Sequence, residues 1–226
     1  MRRYHRDPEH RRVSALIEAE VLKAREAEAG GGWITYLIRD PRRADHRGNP
    51  GVPIYVGQTK EFGRRVRSRF YRCEKDATSK DSIERRVADL LHMGFVARYQ
   101  VLERTPTRLT SLVSETNWTR ECVRRGYDIA NLLAEQRIAG PPIGRHEVPL
   151  TWIWQFTLEE AIEDGIVLEL GCRDCGGALG IDFAHFRNTA EPPKSLLEIK
   201  ARAFWKREPC TICGASGKRF VRLCIA

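Results

Sequence analysis

Ile34-Thr35-Tyr36-Leu37-Ile38 and Ile54-Tyr55-Val56-Gly57 are two short runs of β-branched and aromatic residues, each carrying one tyrosine. Such runs form strands, and residues 39–53 between them, dense in charge, Pro, Gly and Asn, break both strand and helix periodicity. The pair is predicted as an antiparallel β-hairpin with a long loop. Residues 62–71 then read as a basic helix. Residues 81–93 set Ile83, Val87, Leu90 and Leu91 on one helical face ahead of Gly94, a stop signal. Residues 96–102 read as a third strand. A further helix is predicted over 109–125, with Leu112, Val113, Trp118 and Cys122 at three- and four-residue spacings before Gly126. The order ββααβα predicts an α+β fold, a small antiparallel three-stranded sheet flanked by helices.

Upstream of the hairpin, Val13, Ile17, Val21 and Ala24 recur at helical spacing within residues 11–29, and Gly30-Gly31-Gly32 ends that amphipathic helix. The reading is a basic N-terminal arm and helix (1–30) ahead of a separate core (31–139). Ala139-Gly140-Pro141-Pro142-Ile143-Gly144 interrupts both periodicities and opens a linker and C-terminal domain, 140–226. Within it, Thr157-Leu158-Glu159-Glu160 is a capping-box helix start.

The 226 residues hold 39 Lys plus Arg against 30 Asp plus Glu, a formal charge of +9. With a pI near 9.4, a nucleic-acid partner becomes a serious expectation. Mean hydropathy is −0.46, and no apolar stretch approaches the roughly 18 to 20 residues of a membrane span. The N-terminus runs Arg2-Arg3-Tyr4-His5-Arg6-Asp7 with no apolar signal core, so a cytoplasmic, reducing location is expected.

Four of the seven cysteines form two C-x-x-C pairs, Cys172/Cys175 and Cys210/Cys213, each followed by glycine and separated by 34 residues. The two-residue gap lets both thiolates reach one ion and the glycine permits a tight turn, so a four-cysteine, zinc-ribbon-like module with a structural zinc is predicted. A redox dithiol and an iron–sulfur site are the alternatives, and Cys224 and His185 stand close enough in sequence to be spare ligands. Around the knuckles, Arg202, Phe204, Trp205, Lys206, Arg207, Lys218, Arg219, Phe220 and Arg222 interleave cations with aromatics. That mixture suits phosphate contact and base stacking, or a basic surface with snorkelling side chains.

Tyr36 and Tyr55, then Gly57-Gln58-Thr59-Lys60-Glu61-Phe62-Gly63-Arg64-Arg65-Val66-Arg67-Ser68-Arg69, resemble the GIY-YIG endonuclease superfamily. Ile34-Thr35-Tyr36 stands at its first signature and Tyr55-Val56-Gly57 at its second. Glu115-Thr116-Asn117-Trp118, Gly126 and Asn131-Leu132-Leu133 resemble its closing pattern, so the likeness covers about residues 31–135. What the resemblance implies is a metal-dependent hydrolysis of DNA phosphodiesters. Arg65 would hold the scissile phosphate and Glu115 a single divalent cation, magnesium or manganese, beside the leaving oxygen. Tyr36 and Tyr55 would flank the attacking water, one of them as general base, and Asn131 would support the site. Lys60, Arg64 and Arg69 would add substrate contacts, and Lys60, Arg64 and Arg65 would lower the phenol pKa from its usual value of about 10.

Three features depart from the pattern. Ile34 replaces the first signature's glycine, the two tyrosines are 19 positions apart, and Arg69 stands where many members carry a histidine or tyrosine. Arginine stays protonated and cannot serve as a base. Read singly, the tyrosines are strand packing residues and Arg64 to Arg69 a solvated helix face. Glu115 differs, because it lies on the apolar side of its helix, where a carboxylate needs a partner or a metal. A nucleic-acid-binding or adaptor protein that keeps the fold without catalysis is the alternative. Double-stranded DNA is the expected partner, and cutting both strands from one site per chain calls for a homodimer or two visits.

Overall fold

A computed structural model of the chain describes residues 8–76, 82–131, 136, 147–148, 156–187, 209–210, 212–216 and 219–225. It divides the chain into two compact units, 1–142 and 143–226. The glycine–proline boundary at 139–144 lies outside the described residues.

In the first unit the elements run α1 (Pro8–Glu28), β1 (Trp33–Ala44), β2 (Pro50–Thr59), α2 (Phe62–Asp76), α3 (Ile83–His92), β3 (Arg98–Thr105) and α4 (Arg108–Arg124). The strands form one antiparallel sheet in the order β2-β1-β3, so the expected α+β architecture and its ββααβα order are observed. Central strand β1 is buried on both faces, which is why it reads as a continuous apolar run. Ile34, Tyr36 and Ile38 meet Val21 of α1, Phe62 and Val66 of α2 and Val87 of α3. On the opposite face Leu37 and Val56 meet Cys122 and the half-buried Trp118 of α4, together with Ile129.

One expectation is corrected. The stretch 39–53 is not a long loop, because β1 continues to Ala44 and β2 begins at Pro50, with register shifts after Ile38 and after Asp40. The polar residues that suggested a loop are what close the ribbon. Asp45 Oδ1 accepts the backbone N–H groups of Arg47 and Asn49, both at 2.9 Å, and Arg39 Nη1 donates to Gly51 O at 2.8 Å. Helix α1 packs on this core. Ile17, Val21 and Ala24 lie in the same apolar cluster as the sheet, and Glu28 Oε2 accepts the Gly63 N–H at 2.7 Å. A carboxylate there satisfies an orphan donor in the first turn of α2 and complements its dipole, so α1 helps place α2.

The second unit contains β4 (Glu147–Val148), α5 (Leu158–Glu163), β5 (Ile166–Cys172), β6 (Ala178–Asp182), α6 (Ala184–Arg187) and β7 (Arg219–Ile225). Its antiparallel sheet has the order β4-β7-β5-β6. The capping box at Thr157 and Glu160 forms as the sequence implies. Among the described residues no helix is long and apolar enough to cross a membrane.

Candidate active site and metal centre

The β1–β2 register sets Tyr36 opposite Gly57 and Ile38 opposite Tyr55, so both tyrosines leave the sheet on the face where Gly57 has no side chain. A Cβ on Gly57 would lie 2.7 Å from Tyr36 Oη and 2.7 Å from Tyr55 Cε1. The two rings therefore close side by side over this glycine, and any other residue would push them apart. Phe62 backs the Tyr36 ring at 5.0 Å between centroids, and Tyr99 of β3 lies 6.0 Å from it.

Helix α2 contributes two arginines to this neighbourhood. Arg65 is exposed, and its charge acts on Tyr36, Tyr55 and Glu115. Arg69, one turn on, is turned inward. Its guanidinium stands 5.2 Å above the Tyr55 ring, within hydrogen-bonding reach of the Tyr36 phenol, and pairs with Glu84 of α3. With only 9% of its surface exposed, Arg69 is an internal counter-charge to the phenols and is not presented for substrate contact. Lys60 is exposed, and Arg64 is exposed but paired with Glu61. Arg65 also belongs to a groove of about 520 Å³ along the outer side of α2.

Glu115 reaches the site from α4 and is 8% exposed. Burial pushes its carboxyl up to about 8, against the opposing effects of Gln136, within hydrogen-bonding reach, and of the Arg65 charge. Burial likewise raises both phenols. For Tyr36, Arg69 and Arg65 work against that rise, while for Tyr55 the nearby Glu115 and Tyr36 add to it.

Asn131 makes a two-way bond to the β2 backbone at Val56, between Tyr55 and Gly57. It accepts the Val56 N–H at 3.0 Å and donates to Val56 O at 2.9 Å. Its amide nitrogen also lies 3.3 Å from Gln136 Oε1. One polar chain thus runs from β2 through Asn131 and Gln136 to Glu115. Sequence reading missed Gln136, Glu84 and Tyr99, since no motif or spacing marks them and only the fold brings them to the cluster. Leu132 and Leu133 of the closing pattern lie outside the described residues.

In the second unit Cys172, Cys175, Cys210 and Cys213 place their sulfurs within 4.8 Å of one another. Cys172 to Cys213 and Cys175 to Cys210 are each 3.8 Å, far beyond a disulfide bond. A tetrahedral shell with metal–sulfur distances of about 2.3 Å has edges of about 3.8 Å, so the spacing fits one metal ion such as zinc. Both knuckles are built alike. Gly176 N–H donates to Cys172 O at 2.9 Å and Gly214 N–H to Cys210 O at 2.8 Å. Those glycines have φ of +71° and +73°. Backbone N–H groups of Cys213 and Ile212 point at the Cys210 sulfur and lower its pKa, favouring the thiolate a metal needs, while the neighbouring thiols raise that of Cys213. Cys224 lies on β7, opposite Glu147 and Val167, and is not part of the cluster. The cations and aromatics at 202–207 lie outside the described residues, as do Lys218 and the side chains of Arg219, Phe220 and Arg222.

Taken together, the first unit is a small α+β domain that gathers two phenols, a guanidinium and a buried carboxyl, and the second is a four-cysteine domain able to hold a metal. Comparison of the chain with protein-family models, curated proteins and solved structures returns no match.

Proposed function

We propose that the first unit is a divalent-metal-dependent endonuclease of the GIY-YIG type, hydrolysing DNA phosphodiester bonds, and that the second carries a structural zinc ion and aids DNA binding. The observation that carries this reading is the pair of tyrosine rings closed over Gly57, with Arg65 and the buried Glu115 acting on both. A packing role explains tyrosines on a strand. It does not explain a carboxyl buried beside them at the expense of its charge.

In-line attack on a phosphodiester gathers negative charge on the phosphoryl oxygens. Arg65, exposed at the edge of the cluster, binds those oxygens and sets the phosphate beside the phenols. Glu115, once ionised, offers carboxylate oxygens of the kind a hard cation such as Mg2+ or Mn2+ takes, with the Gln136 amide N–H orienting the carboxylate, and that cation would supply Lewis-acid charge to the leaving oxygen. The phenol oxygens orient the attacking water. One of them, as phenolate, takes the water proton when the new P–O bond forms and the bond to the leaving oxygen breaks. Arg69 is the fixed charge that favours the phenolate, which is the role its inward position suits.

The test is conversion of supercoiled plasmid to the nicked form with Mg2+ or Mn2+. Wild type nicks. Glu115→Gln and Arg65→Ala lose about 100-fold or more in rate, the scale on which single electrostatic groups act in such sites. A second reading, a DNA-binding protein without catalysis, draws on the upward shift of both phenols, which leaves neither ready to accept a proton in the free chain. Binding of the plasmid by wild type with no nicking would establish that reading. Cleavage of both strands from one site per chain predicts a homodimer or successive nicks, which the time course of nicked and linear products separates.

A further inference from the structure

The groove along α2 contains a feature that phosphate contact does not explain. Tyr71 is 58% exposed in a groove whose lining on α2 is otherwise Arg64, Arg65, Arg67, Arg72 and Ser68. Its hydroxyl donates to Glu18 Oε1 of α1 at 3.0 Å, and the Arg67 guanidinium lies 5.6 Å from the ring centroid. The ring is therefore held at its tip and over its plane before any ligand arrives, which reduces the ordering that binding must impose. Helical spacing lays out two rows, Arg64, Arg67 and Tyr71 beside Arg65 and Arg72, over about 10 Å of helix. The acids present are accounted for: Glu61 pairs with Arg64, and Glu18 contacts Tyr71 and lies 3.9 Å from Arg67. Arg72 has no ion pair among the described residues. The groove thus keeps an excess of positive charge, and Arg65 is part of its lining.

An aromatic ring among cations is the arrangement that holds a nucleic-acid strand through its phosphates and one base face. A base stacked in a duplex cannot offer that face, whereas an unpaired one can. We propose that this groove takes a single DNA strand with an unpaired nucleotide stacked on Tyr71, so that DNA carrying a single-stranded segment beside the cut is the substrate class of the site. The inference rests on reading the Arg65 cluster as the phosphodiester site.

The experiment is fluorescence anisotropy of the full chain with a labelled single-stranded DNA oligonucleotide and with the same sequence as a blunt duplex, without added divalent cation so that nothing is cut. Tyr71→Ala is expected to weaken single-strand binding about 5- to 100-fold while changing duplex binding less than about twofold. Tyr71→Phe and Tyr71→Trp keep a ring and are expected to stay within about threefold of wild type, which separates stacking from a folding defect. Arg72→Ala should weaken both ligands and flatten the salt dependence of single-strand binding by about 0.7 in log–log slope. Equal single-strand affinity for wild type and Tyr71→Ala, or equal losses on both ligands, would overturn the inference. Plasmid nicking with Mg2+ is scored separately. Nicking by wild type alongside an unaffected Tyr71→Ala affinity removes the stacking inference and leaves the nuclease reading in place. Tyr71-dependent single-strand binding without nicking removes the nuclease reading and supports the strand groove.

Discussion

Residues 1–142 bury apolar side chains on both faces of β1, and three helices on one side and one on the other close that core. In residues 143–226 the buried apolar set among the described residues is much smaller, chiefly Phe156, Leu158, Ala161, Ile166, Leu168, Phe183 and Leu223. A small domain is marginal without a further constraint. Four thiols converging at one end of its sheet would provide one on holding a metal: the first knuckle joins β5 to β6, and the second lies ahead of β7, whose Arg219 pairs with Cys172. The difference teaches where polar chemistry is tolerated. In the first unit the buried carboxyl and phenols sit among extensive apolar packing, while in the second the four-cysteine cluster would add folding energy on holding a metal.

The largest expected effect separates the two units. Removing the metal with a strong chelator, or replacing Cys172 and Cys210 by serine, should abolish the calorimetric transition of the second unit and leave that of the first in place. Metal analysis of the untreated chain should find one zinc per chain; loss of both transitions together would break the comparison. Next comes Gly57→Ala. A Cβ at 2.7 Å from both tyrosine rings forces them apart, and about 1 to 3 kcal/mol should be lost from the first transition. Nicking should fall about 100-fold, since displacement near 1 Å has that effect. Asn131→Ala comes third, leaving both backbone groups of Val56 unpaired for a loss of about 1 to 2 kcal/mol in urea unfolding.

Last is a pH effect at Glu115. Its folded value of about 8 lies above the ordinary 4.5, so the folded chain holds a proton that the unfolded chain releases. Its contribution to stability is full below about pH 4.5, declines above that and is lost as pH rises through about 8. Glu115→Gln removes this slope. Relative to wild type it should gain up to about 4 kcal/mol of stability between pH 5 and pH 9, read from urea midpoints. An identical pH profile for both proteins would show the carboxyl to be ionised throughout.

Much of this fold is legible in the chain because its signals are local. The tyrosine-bearing strands, the helix stop at Gly94, the Thr157 capping box and the two knuckles each follow from residues within a few positions of one another. Side-chain contacts at a distance are not local, and there the reading departs from the structure. Residues 39–53 look like a loop because Asp45, Asn49 and Arg39 are polar, and only the formed ribbon shows those groups bonding its own backbone. Arg69 shares a helical face with Arg65 by spacing, yet Glu84 on α3 and the two rings draw it inward. Gln136 carries no motif, and its place between Asn131 and Glu115 exists only after α4 has docked. That Tyr36, Tyr55, Arg65 and Glu115 belong together was therefore readable, and the residues that surround and hold them were not.

The central claim is that Glu115 holds a divalent cation beside the paired phenols. Crystals of the chain soaked in Mn2+ and measured at the manganese edge test it most directly. The account predicts an anomalous peak about 2.1 Å from a Glu115 carboxylate oxygen, on the side facing Tyr36 and Tyr55. A map in which manganese is absent from Glu115 at saturating concentration, with the carboxyl still bonded to Gln136, would contradict it.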